Sequence, residues 1–232
     1  MIKFENVVLA SPEQMEFIIE GMRNPMNSWD KSDSHTCRQD GSFCMECGHK
    51  NGYCLGQNDR SLMQRLSNSG TDHRKFMRMM PVYVRITAPL YWWKEFNTYK
   101  IGTVVNSCST MHKIAEKEFT LEDFSTDHLI DVSILGVEAL IDYLNVSREA
   151  YVETKDKKYW WQMIQLLPSS YNQTRNVMMN YEVLANIYKS RKDHKLDEWR
   201  EFCKWIETLP YSELTCGRVK QYIIGVDLSK ED

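Results

Sequence analysis

The chain has 232 residues, of which 42% are hydrophobic and 26% charged, enough to bury a substantial core and not the composition of a disordered chain. The formal net charge of -3 provides no overall basic field to draw it to nucleic acid, although a local basic patch stays open. No apolar run approaches the roughly 20 residues needed to cross a bilayer, and the opening Met1–Asn6 segment leads into no signal-peptide pattern. A cytoplasmic protein is therefore expected. Seven cysteines, with Cys108, Cys203 and Cys216 far from the rest, fit reduced thiols better than a disulfide framework.

Ile2 to Ala10 reads as a strand. Ser11 then caps a helix with Pro12 at its first position and Met15, Ile18, Ile19 and Met22 on one face; Asn24-Pro25 ends it. Residues 27–58 are polar, aperiodic and cysteine-rich, as expected of a loop insertion centred on about 30–57 in a single domain covering residues 1–232. A helix from about Asn58 turns Leu62, Met63 and Leu66 inward and ends near Gly70. Residues 81–91 alternate as a strand, with Val82, Val84 and Ile86 on one side. Tyr91 to Tyr99 looks helical, and helical spacing returns over Leu129–Leu144 and Asp156–Leu167. A long helix is predicted over Asn172–Ser190 with Val177, Met178, Tyr181, Leu184, Ala185 and Tyr188 as its core stripe. A last helix covers Asp197–Glu207.

Five segments could carry chemistry. His73, Arg74, Lys75 and Arg78 follow the glycine that ends a helix; they form either a solvated connection or a phosphate site. Tyr91, Trp92, Trp93 and Phe96 either line a cavity or interface or pack in the core. Asn106 to Lys113 is rich in small donors and acceptors suited to phosphate, sugar or a base edge. Ser109 and His112 lack the strand–turn–helix elbow of a hydrolytic pair. Cys37-x6-Cys44-x2-Cys47-x6-Cys54 could close a tetrahedral zinc site, with His35 and His49 as substitute ligands, or be four free thiols on a loop. Arg191 to Lys195 is accounted for by the favourable position of cations at a helix C-terminus.

Taken together, Asn58–Met63 with Leu66 and Gly70, Val84–Tyr91, Asn106 with Ser109, and Leu167-Pro168 through Asn180, Asn186 and Arg191 resemble the flavin-dependent thymidylate synthases (ThyX) in order and spacing. The resemblance implies an α+β fold, an antiparallel sheet with surrounding helices and a helix-rich C-terminal half. It implies FAD held by His73, Arg74, Lys100 and Asn186. A nucleotide would be held by Glu95, Asn106, Ser107, Ser109 and Arg191, between subunits of a homotetramer. No catalytic side chain is implied, because in that family the flavin supplies hydride and a folate the carbon. The sequence departs from the family at its cations. Thr98-Tyr99-Lys100 replaces Arg-His-Arg, Ser107 a Glu, Met111-His112 an Arg-Tyr, Ile164 an Arg and Glu182 another Arg. Each lost cation costs binding energy for a phosphate. Three readings result: a divergent flavin enzyme acting on a dUMP-type nucleotide with Tyr91, Trp92 and Trp93 around the flavin, a nucleotide-binding protein without catalysis, and a structural protein stapled by zinc.

Overall fold

The computed structural model describes residues 2–37 and 52–217. Its chain order is β1 (Lys3–Leu9), α1 (Pro12–Arg23), the two-residue strands β2 (His35–Thr36) and β3 (Tyr53–Cys54), α2 (Gln57–Ser67), α3 (Lys75–Arg78), β4 (Pro81–Pro89), α4 (Leu90–Phe96) and β5 (Val104–Ser107). Then come α5 (Asp131–Thr154), α6 (Lys157–Leu166), β6 (Asn172–Asn180), α7 (Tyr181–Arg191), α8 (Asp197–Thr208) and α9 (Glu213–Cys216).

Strands β1, β4, β6 and β5 form one antiparallel sheet in that order. In β4 the alternation seen in the sequence is realised: Val82, Val84, Ile86 and Ala88 are buried under helices, while Tyr83 and Arg85 face outward. Its two prolines stand at the strand ends, where a missing N–H does least harm. Strand β6 pairs with β4 along its whole length, from Pro81 opposite Asn180 to Pro89 opposite Asn172. In β1 the register slips between Glu5 and Val8, with Asn6 at φ 51°; this bulge leaves Val7 and Val8 both exposed.

Helix α1 starts as predicted: Ser11 and Gln14 form a reciprocal capping box and Pro12 occupies the first turn. Its last residue, Arg23, reaches a carboxylate on α2. Arg23 Nε donates to Asp59 Oδ1 at 2.6 Å, and Asp59 Oδ2 accepts from the Ser32 and Ser34 hydroxyls and the Asp33 and Ser34 amides. Both side chains are buried. Burial pushes the Asp59 carboxyl up, but the hydrogen bonds from Ser34, Ser32 and Arg23 and the charge of Arg23 outweigh it and hold the group below its ordinary value.

Two large hydrophobic cores form among the described residues. The larger lies between the sheet and helices α1–α4 and α7–α9; at its centre Trp92, Phe96, Trp199 and Phe202 pack as an aromatic cluster. The smaller joins α5 and α6 to the segment before them through Ile114, Phe119, Phe124, Ile141, Leu144 and Met163. Lys155, in the left-handed conformation, ends α5, and the Asp156 side chain caps α6 by accepting from the Lys158 amide at 2.9 Å.

The stretch predicted as one helix over Asn172–Ser190 is two elements. Its first half is β6, sandwiched between β4 and β5, and only Tyr181–Arg191 is helical. Val177 is buried as a strand residue, and Met178 lies on the other face of the sheet. The sequence reading also passed over β5. Among the described residues no helix is long and apolar enough to cross a membrane.

Candidate functional site

Two residues that the resemblance assigns to substrate meet at the C-terminal ends of α4 and α7. Arg191 Nη1 donates to Glu95 Oε2 at 2.7 Å, and Arg191 Nε donates to the Tyr99 hydroxyl at 2.9 Å. Trp199 Nε1 donates to the same Glu95 oxygen at 3.0 Å, and His194 Nε2 lies 3.5 Å from it. The guanidinium also lies 4.7 Å over the Trp199 ring. Residues from α4, α7 and α8 thus fix one carboxylate and one guanidinium on each other. A cation expected to meet a phosphate already has an anionic partner within the chain.

Ser109 is elsewhere. It lines a cavity of about 560 Å³ together with Thr87, Thr110, Asn172, Thr174 and Asp127, a volume within the usual range for small-molecule sites. Thr87 and Thr174 share a 2.7 Å hydrogen bond across β4 and β6. Asn172 Oδ1 is buried and accepts from no donor among the described residues. The Ser109 hydroxyl accepts from the His112 amide at 2.9 Å; that bond shapes a local turn and does not join a nucleophile to an imidazole. Asn106 and Ser107 are exposed on the edge strand β5, opposite Asn176 and Arg175, and therefore point to opposite faces of the sheet.

The residues assigned to flavin surround α7. His73 and Arg74 form the turn entering α3, which packs on α7. Lys100 precedes Gly102, whose φ of 74° and close approach to Asn180 and Val183 at the start of α7 leave no room for a side chain. Asn186 is exposed on α7. Arg78 is taken by Glu182, with Nε to Oε2 at 2.5 Å; the acid standing where the family has an arginine thus meets an arginine from the turn. His73, Arg74, Lys75 and Lys100 form no ion pair among the described residues, and Arg74 Nε is buried without an acceptor.

Other expectations end differently. Trp92 and Trp93 are fully buried and Phe96 nearly so, so they build the core and wall no cavity. Tyr91 is half-buried and bonds Glu198. Cys37 follows β2 and packs on Cys54, the last residue of β3, whereas Cys44 and Cys47 lie outside the described residues. Among the described residues no group of three or more His, Cys, Asp or Glu could hold a metal ion. The sequence reading missed Arg175, a half-buried arginine on β6. Strand periodicity in Gln173, Arg175 and Val177 was the signal that could have found it, but the helix assignment obscured it.

This mixed fold of an antiparallel sheet and packed helices is that of the flavin-dependent thymidylate synthases. The chain is similar to ThyX of Helicobacter pylori complexed with FAD and dUMP. One such structure gives a TM-score of 0.61 and another 0.65, each at 16% identity over 93% of this chain and 96% of that one. It is also similar to the UMP/dUMP methylase PolB of Streptomyces cacaoi bound with 5-Br dUMP, with TM-score 0.55, 12% identity and 90% and 89% coverage. No family model and no curated protein matches the sequence.

Proposed function

We propose that this chain is a divergent flavin-dependent enzyme of the thymidylate synthase type, cytoplasmic, acting on a pyrimidine deoxynucleotide such as dUMP with FAD and a folate one-carbon donor. The observation that carries the reading is Ser109, matched by resemblance to a nucleotide contact, on the wall of a 560 Å³ cavity that contains an unsatisfied buried acceptor, Asn172 Oδ1. That carbonyl suits an N–H or hydroxyl of a base or sugar. The flavin supplies hydride to the substrate when bound. In this chain His73, Arg74, Lys100 and Asn186 would hold the flavin's phosphates and ring. By resemblance the nucleotide would lie between subunits, oriented by Ser109 and Asn106 of one chain and by Ser107 and Arg191 with Glu95, which stand apart from them within a chain, of another.

A second reading is a nucleotide-binding protein that has given up the chemistry. The Arg78–Glu182 pair favours it, because an acid stands where the resemblance expects a cation while the Ser109 cavity is kept. Purified protein mixed with FAD and desalted separates the two. A retained flavin absorbance band supports the enzyme, and a colourless protein that still binds dUMP supports the second reading. Loss of dUMP affinity in Ser109→Ala, with the melting temperature unchanged, is expected under both. Unchanged affinity would remove the cavity from the nucleotide site.

The reading extends to assembly. Val132, Leu135, Tyr143 and Val146 on α5 are each more than 60% exposed, and we assign that face to another copy of the chain in a homo-oligomer, a tetramer by resemblance. Cys37, Cys44, Cys47 and Cys54 are read as one structural zinc site, since Cys37 already packs on Cys54. Metal analysis should find about one zinc per chain.

A further inference from the structure

One cation on β6 is neutralised by nothing in the described chain. Arg175 lies half-buried on the helix-covered face of the sheet, opposite Ile86 on one side and Ser107 on the other. Its guanidinium stacks 4.2 Å from the Trp93 ring centroid. Nε donates to Gln173 Oε1 at 2.9 Å and Nη1 to Asn97 Oδ1 at 3.0 Å. Both acceptors are neutral amides, and Arg175 forms no ion pair among the described residues. An arginine has five N–H donors, so most of its edge has no acceptor here. Burial alone lowers its pKa, with no opposing charge to offset the effect.

The plane of this group is fixed before any ligand arrives. Trp93 is fully buried, and its Nε1 donates to the Gln173 backbone carbonyl at 2.9 Å. Stacking on a fixed ring and two amide bonds leave the guanidinium little freedom, which reduces the ordering cost of binding. Directly opposed cross-strand residues share a face, so the Ser107 hydroxyl stands beside it as a further donor. A half-buried cation with open donors and no counter-charge is stabilised by an anion that it can grip with two parallel N–H bonds.

We propose that Arg175, flanked by Asn97 and Ser107, is an anion-binding site for a phosphate monoester group. The nucleotide reading bears only on what carries that phosphate; the anion site stands on its own geometry.

The test is calorimetric titration of the full chain with inorganic phosphate, then with dUMP and with deoxyuridine. Wild type is expected to bind phosphate. Arg175→Gln should lose roughly tenfold or more in affinity, and Arg175→Lys should lose less, since it keeps charge without the fork. Asn97→Asp places a carboxylate against Nη1 at an exposed position and should abolish phosphate binding while the far-ultraviolet dichroism stays that of wild type. This variant also carries the test if Arg175→Gln does not fold. No phosphate binding by wild type, or unchanged binding in Asn97→Asp, overturns the site. If phosphate binding depends on Arg175 but dUMP binds no better than phosphate, the anion site stands and the nucleotide reading falls. If FAD and dUMP bind with no dependence on Arg175, the site falls and that reading stands.

Discussion

The sheet core and the α5–α6 arm use their apolar residues differently. Helix α8, with 12 residues, buries Trp199, Phe202, Cys203 and Ile206 in the sheet core, together with Glu198. Helix α5 is twice as long yet buries only Ile141, Leu144 and Ser147, and leaves Val132, Leu135, Tyr143 and Val146 exposed. Among the described residues the sheet core is covered on its apolar side, whereas the arm leaves an apolar face of α5 exposed. The candidate site residues stand mostly on the sheet region, so assembly through the arm would complete surroundings that the sheet has already positioned.

The largest effect is expected where the sheet core holds charge. Asp59→Ala leaves Arg23 buried and unpaired and should cost about 3–5 kcal/mol, read by urea unfolding. The wild-type contribution is also pH-dependent. The folded-state value of Asp59 is depressed, so its stabilisation is fully present above the ordinary 3.8 and is lost as pH falls through the lower folded value. A wild-type stability profile flat in that acid window would contradict the assignment.

Leu144→Ala, in the smaller core, should cost about 2–5 kcal/mol. If the arm is stabilised by another copy, this loss should shrink as protein concentration rises, whereas the Asp59 loss should not. A concentration-independent loss in both variants would erase the contrast between the two regions.

Glu95→Gln keeps the hydrogen-bonding shape but releases Arg191. It should raise affinity for dUMP relative to deoxyuridine by several-fold, up to about tenfold, an effect limited by the partial exposure of the pair. An unchanged ratio would remove Arg191 from the phosphate. Val146→Glu should alter monomer stability least, within about 0.5 kcal/mol, while lowering the oligomeric mass seen by light scattering. A variant that keeps the wild-type mass would free α5 from any interface role.

Much of the local structure was legible. Ser11 and Pro12 announce α1, and Val82, Val84, Ile86 and Ala88 announce the buried face of β4, because caps and alternation are short-range signals. The division of residues 172–190 was not. Val177, Met178, Tyr181, Leu184 and Tyr188 fit helical spacing well, but β4 and β5 supply ladder partners to β6 from both sides, and no residue within the segment signals that supply.

The same limit governs the site. The sequence by itself determined which side chains were available: Glu95, Ser109, Arg191, the basic turn His73–Arg78, and the losses of cation at Thr98, Ile164 and Glu182. Only the tertiary structure decided which charges cancel. Glu95 and Arg191 are 96 positions apart, and Arg78 and Glu182 are 104 apart; Arg175 stays without a counter-charge among the described residues because the groups that reach it, Gln173, Trp93 and Asn97 just after α4, are neutral. Charge pairing depends on distance in space, and the folding of the sheet sets those distances.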